Sequence, residues 1–256
     1  TQGYSSAASD VYKRQELIMR MLELAARDQN DIILDFFAGS GTTAHAVMQQ
    51  TKEDCINRKY ICVQLPELCD EKSEAYKAGY RTIADIAKER IRRAGAKIRA
   101  EIETEQEKKN GQLTFEDTQQ SKMPDLGFKV FKLADSNFKQ WRKIRRSETE
   151  AWQQQVMEFI DPVTENATVD NMVYELLLKS GKDLNSTIEH KDGYYAVNGR
   201  ELILMLESAT QETVDAILAA RPDKVIALDR LFEGNDQLKT NTVLQMKDAG
   251  ITFITI

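Results

Sequence analysis

The chain has 256 residues, with 35 Lys and Arg against 41 Asp and Glu, a formal net charge of −6, and only three Cys and two His. A length of this order predicts two modest domains, and the acidic balance excludes a protein that coats nucleic acid indiscriminately while leaving room for a local basic face. No apolar run approaches the ~20 residues that a bilayer-spanning helix needs, and the first residues lack the order of a secretory signal, so a cytoplasmic protein is expected.

The first fifteen residues, TQGYSSAASDVYKRQ, are small, polar and without period. They are expected to lie outside the fold, and SAASDVYKRQ resembles translated adapter sequence at the ends of assembled reads, which implies a non-native segment on a truncated product. From Glu16 onward, Leu17, Ile18, Met21, Leu22 and Ala25 recur at helical spacing and predict a helix. DIILDFF (31–37) then reads as a short buried strand, AGSG as a turn, TTAHAVMQQ as a helix and KYICVQL (59–65) as a second strand, together one parallel crossover unit. Cys55, Cys62 and Cys69 are spaced by seven, with no Cys-x-x-Cys pair and only His45 and His190 to assist them. That spacing favours reduced thiols over a zinc site or disulfide framework, and no metal is expected.

Ile83, Ile86, Ala87, Ile91, Ala94 and Ile98 predict a long helix ending near Arg99, and residues 101–125 are polar and acidic, the expected linker. GFKVFKL (127–133) alternates like a strand, and a helix is expected around 148–159. A second α/β unit begins near residue 168: a helix stopped by Gly181, the strands YYAV and ELILMLE joined through an Asn198-Gly199 turn, then helix, strand, helix and strand to the last residue. The alternation predicts a parallel sheet. The expected organisation is 1–15 outside the fold, 16–100 a cofactor-binding part, 101–165 a linker and basic connecting segment, and 166–256 a smaller α/β domain.

The chemical information concentrates in the turn of DIILDFFAGSGTTAHAV. A strand passing through Gly39-Ser40-Gly41 directly into a helix offers backbone N–H groups and a positive helix end to an anionic ligand. Thr42-Thr43 stand where a P-loop requires Lys-Ser or Lys-Thr, which disfavours a nucleoside triphosphate. Gly39-x-Gly41-x-x-Ala44 does satisfy the permissive dinucleotide fingerprint.

The stretch from Asp35 to Thr43, Asp-Phe-Phe-Ala-Gly-Ser-Gly-Thr-Thr, resembles the cofactor motif of the amino-methylating DNA methyltransferases that use S-adenosylmethionine. The resemblance implies that Phe37, Ala38, Gly39, Ser40 and Gly41 wrap the methionine part of the cofactor. Its carboxylate suits the N–H groups and hydroxyls of Thr42 and Thr43, and its ammonium and sulfonium suit Asp35. The family puts an acid after the second strand for the ribose hydroxyls; Gln64 stands there, with Glu67 just beyond Pro66, and both are kept as ribose partners.

RKYICVQLPE, TIADIAKERIRRAGAKI, LGFKVFKLADSNFKQW and LDRLFEGNDQLKTNTVLQMKDAGITFITI further resemble the C-terminal half of the Mod subunits of type III restriction-modification systems. This implies an α/β, Rossmann-like S-adenosylmethionine methyltransferase fold, present in part, followed by a smaller C-terminal α/β domain. It also implies adenine-N6 methylation of double-stranded DNA by the intact protein, as a homodimer that carries a restriction subunit. The Asp-Pro-Pro-Tyr-like catalytic motif of that family is not found: Asp161-Pro162-Val163-Thr164 lacks the second proline and the aromatic. No catalytic residue is therefore assigned, and this chain alone is expected to transfer no methyl groups.

Arg90, Arg92, Arg93, Lys97 and Arg99 crowd one helix, and Lys139, Arg142, Lys143, Arg145 and Arg146 surround Trp141; each group is either a solvated face or a phosphate contact. His45 is expected to pack or cap, and FEGNDQLKTN either caps a helix or meets a subunit. Two other functional classes stay open beside the methyltransferase: a nicotinamide-dependent oxidoreductase, disfavoured because Gln64 replaces the acidic ribose ligand, and a non-catalytic assembly module.

Overall fold

Two parallel strands, β1 (Ile32–Asp35) and β2 (Lys59–Cys62), carry the motif, with Ile32 opposite Lys59 and Leu34 opposite Ile61. They belong to a computed structural model that describes residues 2–110, 123–140, 153, 157, 159 and 161–256, with the side chains of 2–13 and 109–110 left outside the description. The chain divides into two units, Thr1–Phe128 and Lys129–Ile256. Both are mixed α/β: the first holds the two-stranded parallel sheet and the second a sheet of five strands.

In the first unit, helix α2 (Thr42–Asp54) joins the two strands and is packed from two sides. Helix α1 (Gln2–Ala25) meets it through Ile18 and Leu22, with Ala26 just beyond, gathered around Val47. A short helix α3 (Glu74–Lys77) leads to α4 (Ile83–Asn110), which sets Ile91, Ile98 and Ile102 against Ala44 and Met48. Ala44, Ala46, Ala87, Ala94 and Gly95 are all buried, and their small side chains let the helices approach closely. α4 starts in a reciprocal cap: the Asp85 N–H donates to Thr82 Oγ1 (3.2 Å) and the Thr82 N–H to Asp85 Oδ2 (3.1 Å).

Arg58 locks the far end of α2. Its side chain is 1 % exposed and forks onto Asp54 at 2.9 and 2.7 Å, while its Nε–H donates to the Ala26 carbonyl at 2.8 Å. A buried guanidinium is tolerable because the carboxylate and backbone carbonyls take up its donors.

The two-stranded sheet is covered on one face only. Ile33 and Tyr60 point to the helices, whereas Ile32, Leu34, Ile61, Val63 and Leu65 are exposed on the other, as the period of two requires.

In the second unit, α5 (Val169–Lys179) precedes β3 (Ile188–Lys191), β4 (Tyr194–Val197) and β5 (Leu202–Met205), then α6 (Gln211–Ala220), β6 (Lys224–Ala227), a 3-10 turn (Asp229–Phe232), α7 (Asp236–Asp248) and β7 (Thr252–Thr255). The sheet order is β3-β4-β5-β6-β7. Leu202 and Leu204 join Met172, Leu176 and Leu177 of α5 on one face, and Ile203 and Met205 join Val214, Ile217 and Met246 on the other. The central strand is thus buried on both sides, which explains its unbroken apolar sequence.

Several expectations are corrected. The second sheet is mixed: β3, β4 and β5 are antiparallel and only β5, β6 and β7 are parallel, because Asp192-Gly193 makes a second hairpin turn beside Asn198-Gly199. α4 continues to Asn110 rather than ending near Arg99. Ile102 extends its apolar stripe, and Lys52 pairs with Glu101 and Glu105 at 3.0 and 2.9 Å, holding the acidic stretch helical. α1 starts at Gln2, inside the segment placed outside the fold; no Gly or Pro interrupts the run from Tyr4 to Ala25.

Of the expected α1 stripe, Leu17 and Met21 are exposed. GFKVFKL forms no strand, since its aromatics serve different partners: Phe128 packs in the first unit and Phe131 lies edge-on to Tyr174 in the second. The helix expected around 148–159 lies almost wholly outside the described residues, as does the second basic group except Lys139.

Candidate cofactor site

The turn after β1 is built by a short set of hydrogen bonds. The Val63 N–H donates to the Asp35 carbonyl (2.8 Å) and the Ala38 N–H to the Val63 carbonyl (3.1 Å), which carries the strand pairing beyond its last formal residue. Gln64 Oε1 accepts the Gly39 N–H at 2.8 Å, and the Gly41 N–H closes the turn on the Ala38 carbonyl at 2.8 Å. Gly39 and Gly41 have φ of +52° and +76°, left-handed values that favour glycine. A Cβ on Gly41 would stand 3.2 Å from Ile91 Cγ1 and 3.4 Å from the Ala87 carbonyl oxygen, so this glycine is also what lets α4 lie against the turn.

The charged groups arrive from opposite sides. Asp35 Oδ1 accepts the Phe37 N–H (3.0 Å), and its Oδ2 accepts the Thr43 hydroxyl at 2.6 Å. From α4, Arg90 donates one terminal nitrogen to Ser40 Oγ at 2.8 Å and to Thr42 Oγ1 at 2.7 Å. The two threonines at the start of α2 are thus tied to opposite charges. No side chain caps α2, whose first-turn boundary residue is Gly41. Phe37 is 86 % exposed and Phe36 64 %, two aromatic faces beside the turn.

The predicted residues Asp35, Phe37, Ala38, Gly39, Ser40, Gly41, Thr42, Thr43 and Gln64 therefore stand within one turn and its flanks. Glu67 is exposed, and its carbonyl accepts the Ile83 N–H at 2.9 Å, which fixes the backbone while its carboxylate stays at the surface. Gln64 is committed to the turn by its oxygen and to the Leu65 carbonyl by its nitrogen at 3.2 Å.

The first basic group is not one face. Arg93 pairs with Glu89 at 2.7 Å, Arg92 with the same carboxylate at 3.8 Å and Lys97 with Glu101 at 3.9 Å, whereas Arg90 is half-buried at the turn. Sequence reasoning missed that division. The signal was the helical phase, since Arg90 adjoins the inward stripe of Ala87, Ile91 and Ala94 and its neighbours do not.

His45 is half-buried, with its Nδ1 unpartnered, and burial followed by the Arg90 and Lys97 charges lowers its pKa, which favours the uncharged imidazole. Burial, with Asp35 second, pushes the Cys62 thiol up to about 11, which removes it as a nucleophile. Among the described residues, no group of three His, Cys, Asp or Glu could hold a metal ion, and no helix is long and apolar enough to cross a membrane.

Residues 12–92, which contain this whole site, match the DNA methylase family of the N6/N4 methyltransferases. They form a DNA methylase region. The chain is 31 % identical over 256 positions to the Mod subunit of the type III restriction-modification enzyme EcoP15I of Escherichia coli, covering 96 % of this chain and 34 % of that protein. The EcoPI Mod subunit of Escherichia phage P1 is 29 % identical over 240 positions (90 % and 33 %), and the StyLTI Mod subunit of Salmonella typhimurium LT2 is 46 % identical over 91 (36 % and 14 %). The chain is similar to Mod subunits along most of its length and spans about a third of the length of the EcoP15I and EcoPI proteins.

Proposed function

We propose that the turn from Asp35 to Thr43 binds S-adenosylmethionine, within the cofactor part of a Rossmann-like methyltransferase fold. In this reading the intact protein is a DNA adenine-N6 methyltransferase of a type III system, working in the cytoplasm as a homodimer with a restriction subunit. The observation that carries it is the turn itself: left-handed Gly39 and Gly41, an uncapped helix start, and a carboxylate and a guanidinium on opposite sides, which match a ligand bearing both an ammonium and a carboxylate. Exposed Phe36 and Phe37 border the same ledge. The ribose falls to Glu67, because Gln64 already spends both ends of its amide on the backbone.

Adenine-N6 transfer needs a flipped base, an aromatic face for it and acceptors that hold its amino group. The motif that supplies these is absent from this sequence, so the chain binds the cofactor and transfers nothing by itself. Calorimetric titration of the full chain tests the first half, with binding of S-adenosylmethionine and none of NAD expected. Glu67→Ala should weaken binding about tenfold, the loss of one hydrogen bond to a charged group, and Gln64→Ala should instead lower thermal stability. Binding of NAD alone would overturn the assignment, and a tenfold loss in Gln64→Ala with none in Glu67→Ala would reverse the ribose partner.

A further inference from the structure

The Arg90 guanidinium occupies an unusual position for a surface helix residue: half-buried, beside the start of α2, with both of its hydrogen bonds made to hydroxyl oxygens. No carboxylate pairs with it among the described residues, and burial is what depresses its pKa. Arg92, Arg93 and Lys97 of the same helix each pair with an acid; Arg90 has two alcohols. A guanidinium carries five N–H donors in a planar fork, and one nitrogen serves Ser40 and Thr42 here, leaving the rest of the fork available.

The hydroxyl chemistry then follows. Because Ser40 Oγ and Thr42 Oγ1 each accept from Arg90, their own protons are free to donate elsewhere; the two oxygens are 3.5 Å apart, at the limit for bonding each other. Thr43 differs, since its proton goes to Asp35. The turn therefore sorts its three hydroxyls: Ser40 and Thr42 are held as donors beside a positive charge, and Thr43 is held against a negative one. A cluster of two O–H donors, an unpaired guanidinium and an uncapped helix start collects an anion, while Asp35 collects a cation.

We propose that Arg90 of α4 is the counter-ion of the cofactor's carboxylate, acting together with the Ser40 and Thr42 hydroxyls that it orients. This rests on the assignment of S-adenosylmethionine to the turn and adds a residue some fifty positions further along the chain. It also gives the close packing at Gly41 a purpose, because α4 must lie against the turn for Arg90 to reach across it.

The test compares two probes on the full chain by calorimetry: S-adenosylmethionine, and decarboxylated S-adenosylmethionine, which keeps the ammonium and the sulfonium and lacks only the carboxylate. The wild-type chain should prefer the carboxylated probe by about tenfold to a hundredfold, the usual worth of a charge-assisted pair. Arg90→Met should lose that preference while holding the decarboxylated probe as before, and Arg90→Lys should keep part of it, having the charge without the fork. The ratio of the two affinities within one variant is insensitive to how much of that variant is folded, so a destabilised Arg90→Met still reports. Equal weakening of both probes in Arg90→Met would overturn the proposal and make Arg90 a mere organiser of the turn. A wild-type chain that binds neither probe would overturn the cofactor assignment itself.

Discussion

Gly39 and Gly41 have the same backbone hand but different surroundings, and alanine at each separates the two effects. At Gly39 the added Cβ meets nothing nearer than the Phe37 carbonyl oxygen at 3.9 Å, and only the φ of +52° opposes it. The left-handed penalty alone is about 1–2 kcal/mol. At Gly41 the same penalty applies at φ +76°, and the Cβ also falls 3.2 and 3.3 Å from the end of Ile91 and 3.4 Å from the Ala87 carbonyl oxygen. Overpacking of this kind adds about 1–3 kcal/mol, so Gly41→Ala should cost roughly 2–5 kcal/mol in all, from the two penalties together. Urea unfolding of the full chain followed by circular dichroism measures both. Ile91→Val, which removes Cδ1, should recover part of the Gly41→Ala loss and none of the Gly39→Ala loss, a coupling expected of touching residues. Equal costs at the two glycines, or no recovery with Ile91→Val, would refute the account of how α4 is seated.

Glu175 accepts from Ser136 Oγ, from the backbone and side chain of Asn137 and from Lys179; although burial works to raise its pKa, these bonds hold it at about 2 instead of 4.5. A depressed carboxylate stabilises the fold above its unfolded pKa and ceases to do so as pH falls, so melting temperature should drop between pH 4.5 and about 2, and Glu175→Gln should remove that part of the slope in circular-dichroism melts. On the bare face of the two-stranded sheet, Leu34 and Ile61 are paired in register and 50 % and 49 % exposed; Leu34→Lys with Ile61→Lys should change stability by less than ~1 kcal/mol and reduce self-association in sedimentation velocity, and unchanged association would show that this face does not mediate it.

The crossover of strand, turn, helix and strand was legible because its signals are local: an apolar run, two glycines and a helix opening in hydroxyl residues. The hairpin at Asn198-Gly199 was legible for the same reason. Its neighbour at Asp192-Gly193 carried an equal signal, but Ile188–Lys191 is an exposed edge strand of mostly polar residues, so no apolar pattern announced it. The length of α4 was illegible because it depends on Lys52, a residue of another helix, pairing with Glu101 and Glu105. The role of Arg90 was hidden by composition: among five basic residues in ten, only three-dimensional phase distinguishes the one that faces the turn.

The bonds that shape the turn come from a narrow part of the chain. Asp35, Val63 and Gln64 fix its backbone, Thr42 and Thr43 open its helix, and Arg90 reaches it from α4; all lie in the first unit and within the DNA methylase match at residues 12–92. On the reading proposed above, cofactor capture is therefore a self-contained property of this region. On that reading base recognition is different in kind, since it demands an aromatic plane and amino-group acceptors set against the bound methyl group, and the Asp-Pro-Pro-Tyr-like motif that carries them is not found in this sequence. On the same proposal the two halves of a methyl transfer separate: the donor is positioned by contacts spanning about sixty residues of sequence, from Asp35 to Arg90, and the acceptor by groups that these contacts do not include.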